Sequence, residues 1–144
     1  MNSWDIQKEI AEILTQNGFN VVASEVNEGF KKPAVFVNVY PVQHERLMCD
    51  MEKVVNSIEI KYIPAVETVA ECVKTSEKLA EIFYYSPFTV CGCTFTVESI
   101  ESETEDYTLY VSFEIAYEQP MPYFSEYDDV DDIKMDLKAK TEVE

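Results

Sequence analysis

The stretch Thr-Leu-Tyr-Val-Ser-Phe-Glu-Ile-Ala-Tyr-Glu, residues 108–118, places a large apolar side chain at every second position from Leu109 to Tyr117. Successive side chains of a β-strand point to opposite faces, so this alternation predicts a strand with one apolar face. Residues 94–100 also fit a strand pattern. The two segments therefore predict a hairpin at the end of the sheet.

Further strand patterns lie nearer the N-terminus, at residues 35–40 and 54–63. In the first of them both faces carry large apolar groups, which indicates a central strand or one with a packed outer face. Residues 19–26 show a less regular pattern and predict a short third strand.

Two amphipathic helices accompany these strands. The first spans about residues 4–17, with Ser3 as its N-cap and Gly18 directly after its end. The second spans about residues 65–84 and is closed by Pro87. We expect its apolar residues to form one buried stripe, which consists of Val66, Val69, Ala70, Val73, Leu79, Ala80 and Phe83.

These patterns predict an α+β fold with the order α-β-β-β-α-β-β, in which two helices pack on a mostly antiparallel sheet of four to five strands. A length of 144 residues fits one domain, which we assign to residues 1–119. Residues 120–144 form an acidic C-terminal extension that contains Tyr123, Phe124 and Tyr127. Acidic segments with aromatic residues are typical of tails that order on contact with a neighbour, and a partly flexible terminus is the alternative.

Residues 41–53 are irregular and longer than the two to five residues of an ordinary hairpin loop. They combine charged and apolar side chains, a composition that a protein partner can bind. The candidate interface residues are His44, Glu45, Arg46, Leu47, Met48 and Met51. A strand that continues past the sheet is an equally good interpretation of the same residues.

A second candidate surface is the acidic run at residues 101–106, which we interpret as a turn between the last two strands. Its partner-facing carboxylates are those of Glu101, Glu103, Glu105 and Asp106. The run lacks the glycine-centred spacing of an EF-hand, so a specific calcium site is disfavoured.

The net charge is −17 at pH 7. Such a charge repels DNA and anionic membranes, so we expect neither stable nucleic-acid binding nor membrane association. The first ten residues lack the apolar core of a signal peptide, and no apolar run approaches the roughly 20 residues of a membrane span. We therefore expect the chain in the cytoplasm.

No motif indicates catalysis, a cofactor or a metal. The chain has a single histidine and only three glycines, and no phosphate-binding loop is present in its sequence. Cys91 and Cys93 are separated by one residue, which is shorter than the usual zinc-ligand spacing. We predict a non-enzymatic protein without cofactor or metal, and a site built from these cysteines and His44 is a weak third possibility.

Four segments in this order carry a family resemblance: Asn17-Gly18-Phe19 at the helix end, the connector at residues 28–37, the segment at residues 58–64 that leads into the long helix, and the closing strand at residues 108–117. The chain resembles the tail terminator, or tail completion, family of tailed bacteriophages and prophage-derived tail particles. The resemblance covers roughly residues 3–118, and the acidic extension departs from it.

The resemblance implies a homo-oligomeric ring, usually of six copies, on the last ring of the tail tube. Such a ring stops polymerisation of the major tail tube protein and joins it to a neck or sheath protein. It also implies assembly in the host cytoplasm, followed by residence in the virion tail or tail-like particle. The acidic run and residues 41–53 are then candidates for contact with the lumen or the tube.

An alternative function follows from charge alone. An acidic protein can imitate DNA and inhibit a nuclease or repressor by occupying its basic groove. The carboxylates of residues 101–106 and 128–132 would then dominate binding, which would weaken with added salt.

Overall fold

The structure is a computed structural model that describes residues 2–23 and 29–121. Over these residues two helices accompany a four-stranded antiparallel sheet, in the order β1-β2-β6-β5, and a separate antiparallel hairpin of β3 and β4. The predicted α+β class is confirmed. In chain order the elements are α1 (Ser3–Gln16), β1 (Ala34–Arg46), β2 (Met51–Ile63), α2 (Val69–Phe83), β3 (Phe88–Val90), β4 (Cys93–Phe95), β5 (Ile100–Glu105) and β6 (Thr108–Pro120).

The described chain forms two compact units. Unit 1 comprises residues 2–42 and 55–116 within the described ranges, and unit 2 comprises residues 43–54 and 117–121. The predicted boundary between residues 119 and 120 remains a prediction.

The core of unit 1 lies between the helices and one face of the sheet. From α2 the Phe83 ring packs on Phe113 of β6 and on Phe88 of β3, with a centroid distance of 5.1 Å to each. From α1, Gln7 Oε1 accepts a hydrogen bond from the backbone of Val39 in β1 at 3.2 Å. The inward residues of these elements include Ile6, Ile10, Leu14, Ile58, Ile60, Leu79, Phe83, Leu109, Val111, Phe113 and Ile115, all buried.

Both helices begin at residues other than those predicted. Asn2, not Ser3, caps α1, and its side-chain oxygen accepts from the backbone N–H of Asp5 at 2.9 Å. The Ser3 hydroxyl instead donates to Oδ1 of the buried Asn56 at 2.8 Å. Helix α2 begins at Val69, four residues later than predicted, because the Thr68 side chain supplies its cap.

The strands around the acidic run also differ from prediction. The expected strand over residues 94–100 is divided between β4 and β5, and the expected acidic turn is itself strand β5. Only Asp106 and Tyr107 form the turn, and both have positive φ angles, 52° and 59°. Two left-handed residues are what a tight two-residue hairpin turn requires.

The expected strand over residues 19–26 is reduced to one parallel bridge between Val21 and Val35, among the residues that are described there. Two backbone hydrogen bonds flank it, from Val22 N to Val35 O at 2.8 Å and from Val35 N to Asn20 O at 2.9 Å. Two named strands therefore precede α2, where three were predicted.

Residues 41–53, most of which belong to unit 2, are not one irregular loop. Strand β1 continues to Arg46 and β2 begins at Met51, so the interpretation as a continued strand is confirmed and the loop is wrong. The connection of four residues contains Cys49 and Asp50 with φ angles of 60° and 54°. It is closed by a hydrogen bond of 2.8 Å from Leu47 N to Met51 O.

Candidate functional site

Unit 2 presents the first set of candidate interface residues at the β1–β2 turn. Glu45 and Arg46 are exposed, and Met48 is 84% exposed at the turn. Leu47 and Met51 are half-buried. An exposed methionine beside an arginine gives this turn an apolar and a basic group on one small surface, although its role in contacts remains a prediction.

Glu52 organises the side chains behind that turn. Its Oε1 lies 3.2 Å from His44 Nδ1, and its Oε2 accepts a hydrogen bond from Gln119 Nε2 at 2.9 Å. The hydrogen bond from Gln119 is the main cause that holds the pKa of Glu52 below its usual range, with a further contribution from His44 and opposition from burial. The carboxylate therefore joins β1, β2 and β6 within unit 2.

The last described residue is attached to the same turn. The backbone N–H of Met121 donates to the carbonyl of Asp50 at 2.9 Å. Arg46 Nη1 lies 3.4 Å from Met121 Sδ. Residues 117–121 are thus part of unit 2 through specific contacts.

The second set of candidate residues lies on strand β5 in unit 1. Glu101, Glu103 and Glu105 oppose Ser112, Tyr110 and Thr108 of β6, so their side chains share the face of the sheet that points away from the core. With Glu59 of β2 they line a shallow depression of about 670 Å³. We call these four carboxylates the acidic face; Asp106 lies in the adjoining turn.

Strand β5 is also an edge of the sheet in the strand order β1-β2-β6-β5. Edge strands carry unpaired backbone groups that can pair with another chain, and charged side chains restrain indiscriminate pairing. Glu101, Glu103 and Glu105 are charged side chains of this kind on the edge strand β5.

Cys91, Cys93 and His44 do not form a metal-binding group in the part of the chain that the structure describes. Among the described residues, no group of three or more His, Cys, Asp or Glu side chains could hold a metal ion. Cys91 and Gly92 form the turn between β3 and β4, with positive φ angles of 51° and 80°. Burial, together with a hydrogen bond that the thiol donates to the Glu9 carboxylate, raises the pKa of the Cys91 thiol to about 11, so this group remains protonated near neutral pH.

Helix α2 exposes a surface that the sequence pattern assigned to the core. It buries Cys72, Thr75, Leu79 and Phe83. Val66, Val69 and Val73 are 64%, 58% and 48% exposed, and Ala70 is exposed as well, so the predicted burial of these four residues is wrong. Val69 and Val73 lie one turn apart on α2, and Val66 comes three residues before the helix. These three exposed β-branched side chains, Val66, Val69 and Val73, are typical of a docking face. We call them the valine face.

Helix α1 has its own exposed apolar residue, Trp4, which is 69% exposed. Its ring lines a hollow of about 190 Å³ together with Ala11, Val22 and Val37. Tryptophan supplies much of the binding energy at protein interfaces when it is buried by a partner. The sequence interpretation missed this residue, although its position in the first turn of α1, away from Ile6 and Ile10, was a usable signal.

The sequence also predicts C-terminal docking residues and the absence of a membrane span. Tyr123, Phe124 and Tyr127, the predicted docking residues, lie outside the described residues. Neither described helix is both long and apolar enough to cross a membrane.

The family model described as "Phage tail terminator protein" matches residues 5–128. The chain belongs to this family. Tail terminators are structural proteins that end the tail tube, so the predicted family and the predicted non-enzymatic role are confirmed. The match gives no support to the DNA-mimic alternative. No curated protein matches the chain.

The match also extends beyond the resemblance seen in the sequence. It includes Tyr123, Phe124 and Tyr127 at its C-terminal end, whereas the resemblance stopped near residue 118. The beginning of the acidic extension is therefore part of what this tail terminator shares with its family, and it is not an unrelated addition.

Proposed function

We propose that this tail terminator assembles with copies of itself into a closed ring, of six copies as the resemblance implies. The ring seats on the last ring of the major tail tube protein, stops its polymerisation and supplies the joint to a neck or sheath protein. The observation that supports this proposal is the valine face at α2, because exposed apolar patches of this kind mark protein–protein contact sites.

A ring of identical copies needs two different surfaces on each copy, since head-to-tail contacts pair one patch with another. Unit 1 offers two such surfaces on separate helices: the valine face on α2 and the Trp4 hollow on α1. Burial of one of them against the other would remove both apolar patches from water at every interface. About 25 cal/mol per Å² of apolar area gives this burial its driving force.

The acidic face suits the inside of such a ring. A tail passes DNA, whose phosphates carry the same sign of charge as Glu59, Glu101, Glu103 and Glu105. Repulsion would prevent DNA from adhering to the lumen as it passes. The turn of unit 2, with Arg46 and exposed Met48, is our candidate contact to the tube protein.

Assembly with the cognate tube protein tests the proposal. Tubes polymerised alone should show a broad length distribution in negative-stain images. Addition of this protein during polymerisation should leave a ring at one end, and sedimentation velocity of the protein on short tubes should show bound multimers. Intact uncapped tubes beside unattached monomers would rule the proposal out.

A further inference from the structure

The loop after α1, the segment before β1 and one side of α2 enclose a cavity in unit 1. Its volume is about 470 Å³, within the range of about 300–1,000 Å³ that is typical of ligand-binding sites. Four lysines line it: Lys31, Lys32, Lys74 and Lys78. We call it the basic cavity.

The lysines of the basic cavity are a large share of the positive charge in this molecule. The whole chain has only 11 Lys and Arg residues against 28 Asp and Glu. Within the described ranges, none of the four lysines forms an ion pair. Among the residues that line the cavity, the one carboxylate is that of Glu71, which accepts a hydrogen bond from Tyr62 at 3.2 Å.

The cavity also has an aromatic wall. Lys78 Nζ lies 4.7 Å from the centroid of the Phe19 ring, and that ring meets Tyr62 edge to face with centroids 6.3 Å apart. Asn20 joins two parts of the lining, since its Nδ2 donates to the carbonyls of Lys31 and Pro33 at 2.9 and 3.3 Å. The site therefore combines positive charge with aromatic surface.

The chain itself contains a segment of complementary chemistry. Residues 122–132 include no lysine or arginine, and they combine three aromatic residues with five carboxylates: Glu126, Asp128, Asp129, Asp131 and Asp132. Carboxylates pair with ammonium groups, and tyrosine and phenylalanine rings pack against aromatic walls and against lysine. No other part of the sequence joins aromatic residues and carboxylates so densely.

We propose that the basic cavity binds residues 122–132 of a neighbouring copy of this protein. The inference rests on the proposed ring. Copies with a net charge of −17 repel one another, so a ring requires local attraction to overcome that repulsion. One basic cavity and one acidic segment per copy form a head-to-tail pair that repeats around a ring and closes with it.

Charge reversal on full-length protein tests this pairing. The cavity variant carries Lys74→Glu and Lys78→Glu, and the segment variant carries Asp128→Lys and Asp129→Lys. We expect each alone to lose self-association in sedimentation velocity. A variant that carries all four changes keeps the wild-type net charge and should recover association. The matched control combines the cavity variant with Glu12→Lys and Glu98→Lys, two exposed sites outside the cavity, and should not recover it.

Mixing the two double variants distinguishes binding to a neighbouring copy from binding within the same chain. The cavity variant keeps an intact segment, and the segment variant keeps an intact cavity, so the mixture should form pairs and no closed ring. A mixture that stays monomeric would show binding within one chain, or to another protein, and would overturn the proposal.

Direct binding gives an independent readout. A fluorescent peptide of residues 122–132 should bind the full-length segment variant, and anisotropy should show about tenfold weaker binding after Lys74→Glu and Lys78→Glu are added. Added salt should weaken binding as well. If wild-type rings cap tubes and the cavity variant does so equally well, only this inference fails. If the wild type neither self-associates nor caps tubes, the proposed function fails with it.

Discussion

Gln119 Nε2 lies 2.9 Å from Glu52 Oε2 and donates to it, which links the end of β6 to the beginning of β2 within unit 2. The Glu52 side chain is only 11% exposed, and it also meets His44. The charged carboxylate accepts these hydrogen bonds and is stabilised by them, which is the physical reason for the lowered pKa of Glu52.

The lowered pKa predicts a pH dependence of stability. A carboxyl whose folded pKa lies below its unfolded value stabilises the fold above the unfolded pKa, which is about 4.3 for glutamate. That contribution disappears as pH falls through the folded pKa. Urea unfolding and hydrogen exchange at the Leu47 and Met121 amides, which are bonded at the same turn, should show this loss on acidification.

The Glu52→Gln variant provides the control, because it imitates the protonated acid. We expect it to cost about 1 kcal/mol at pH 7 and to equal the wild type at low pH. A difference between the two proteins that stays constant from pH 7 to pH 3 would contradict this account of Glu52.

The valine face should matter for assembly and hardly at all for folding. Val69→Ser and Val73→Ser alter exposed side chains, so the free energy of unfolding should change by no more than about 0.5 kcal/mol for each. Capping of tubes and ring formation should be lost in negative-stain images. Glu81→Ser, an exposed change on the same helix, should assemble normally. Normal capping by the valine variants would place the subunit interface elsewhere.

The buried aromatic residues around Phe83 should, by contrast, matter for folding. Phe83 is fully buried against Phe88 and Phe113, so Phe83→Ala should reduce the free energy of unfolding by about 3–5 kcal/mol. Tyr85→Ala, two residues later, removes a ring that is 74% exposed and should cost much less. Denaturant unfolding measures both, and equal losses would mean that the Phe83 ring is not the centre of the core.

Substitutions at Asn2 test its role as the N-cap of α1. Asn2→Ala should cost about 1 kcal/mol, because the Asp5 N–H loses its acceptor. Asn2→Ser should retain most of the stability, since serine is an equally good cap. Thermal unfolding of the two variants distinguishes them, and an Asn2→Ala variant as stable as the wild type would show that Asn2 is not the cap.

Strand β6 could be predicted from its residues alone because its burial is one-sided, and one-sided burial appears directly as alternation. The hairpin turns could not. Cys49, Asp50, Asp106 and Tyr107 adopt left-handed conformations without glycine, so the usual sequence signal for a tight turn is missing. For this reason residues 41–53 resemble an irregular loop in the sequence, and residues 101–106 resemble an acidic turn.

Helix α2 was located to within a few residues, but its orientation was not predicted. Apolar residues occur on more than one side of it, and only the contact with Phe113 decides that Phe83 and Leu79 face the sheet while Val69 and Val73 do not.

The basic cavity could not be predicted from the sequence for another reason. Lys31 and Lys78 are 47 positions apart, and only the fold brings them to one site.

The hydrogen bond from Met121 to Asp50 determines where a shortened chain can safely stop. A deletion that began at residue 120 would strip the Asp50 carbonyl of its donor and Arg46 of its sulfur neighbour, so any defect would mix damage to the turn with loss of the extension. A stop codon at position 122 removes residues 122–144 and leaves this hydrogen bond in place.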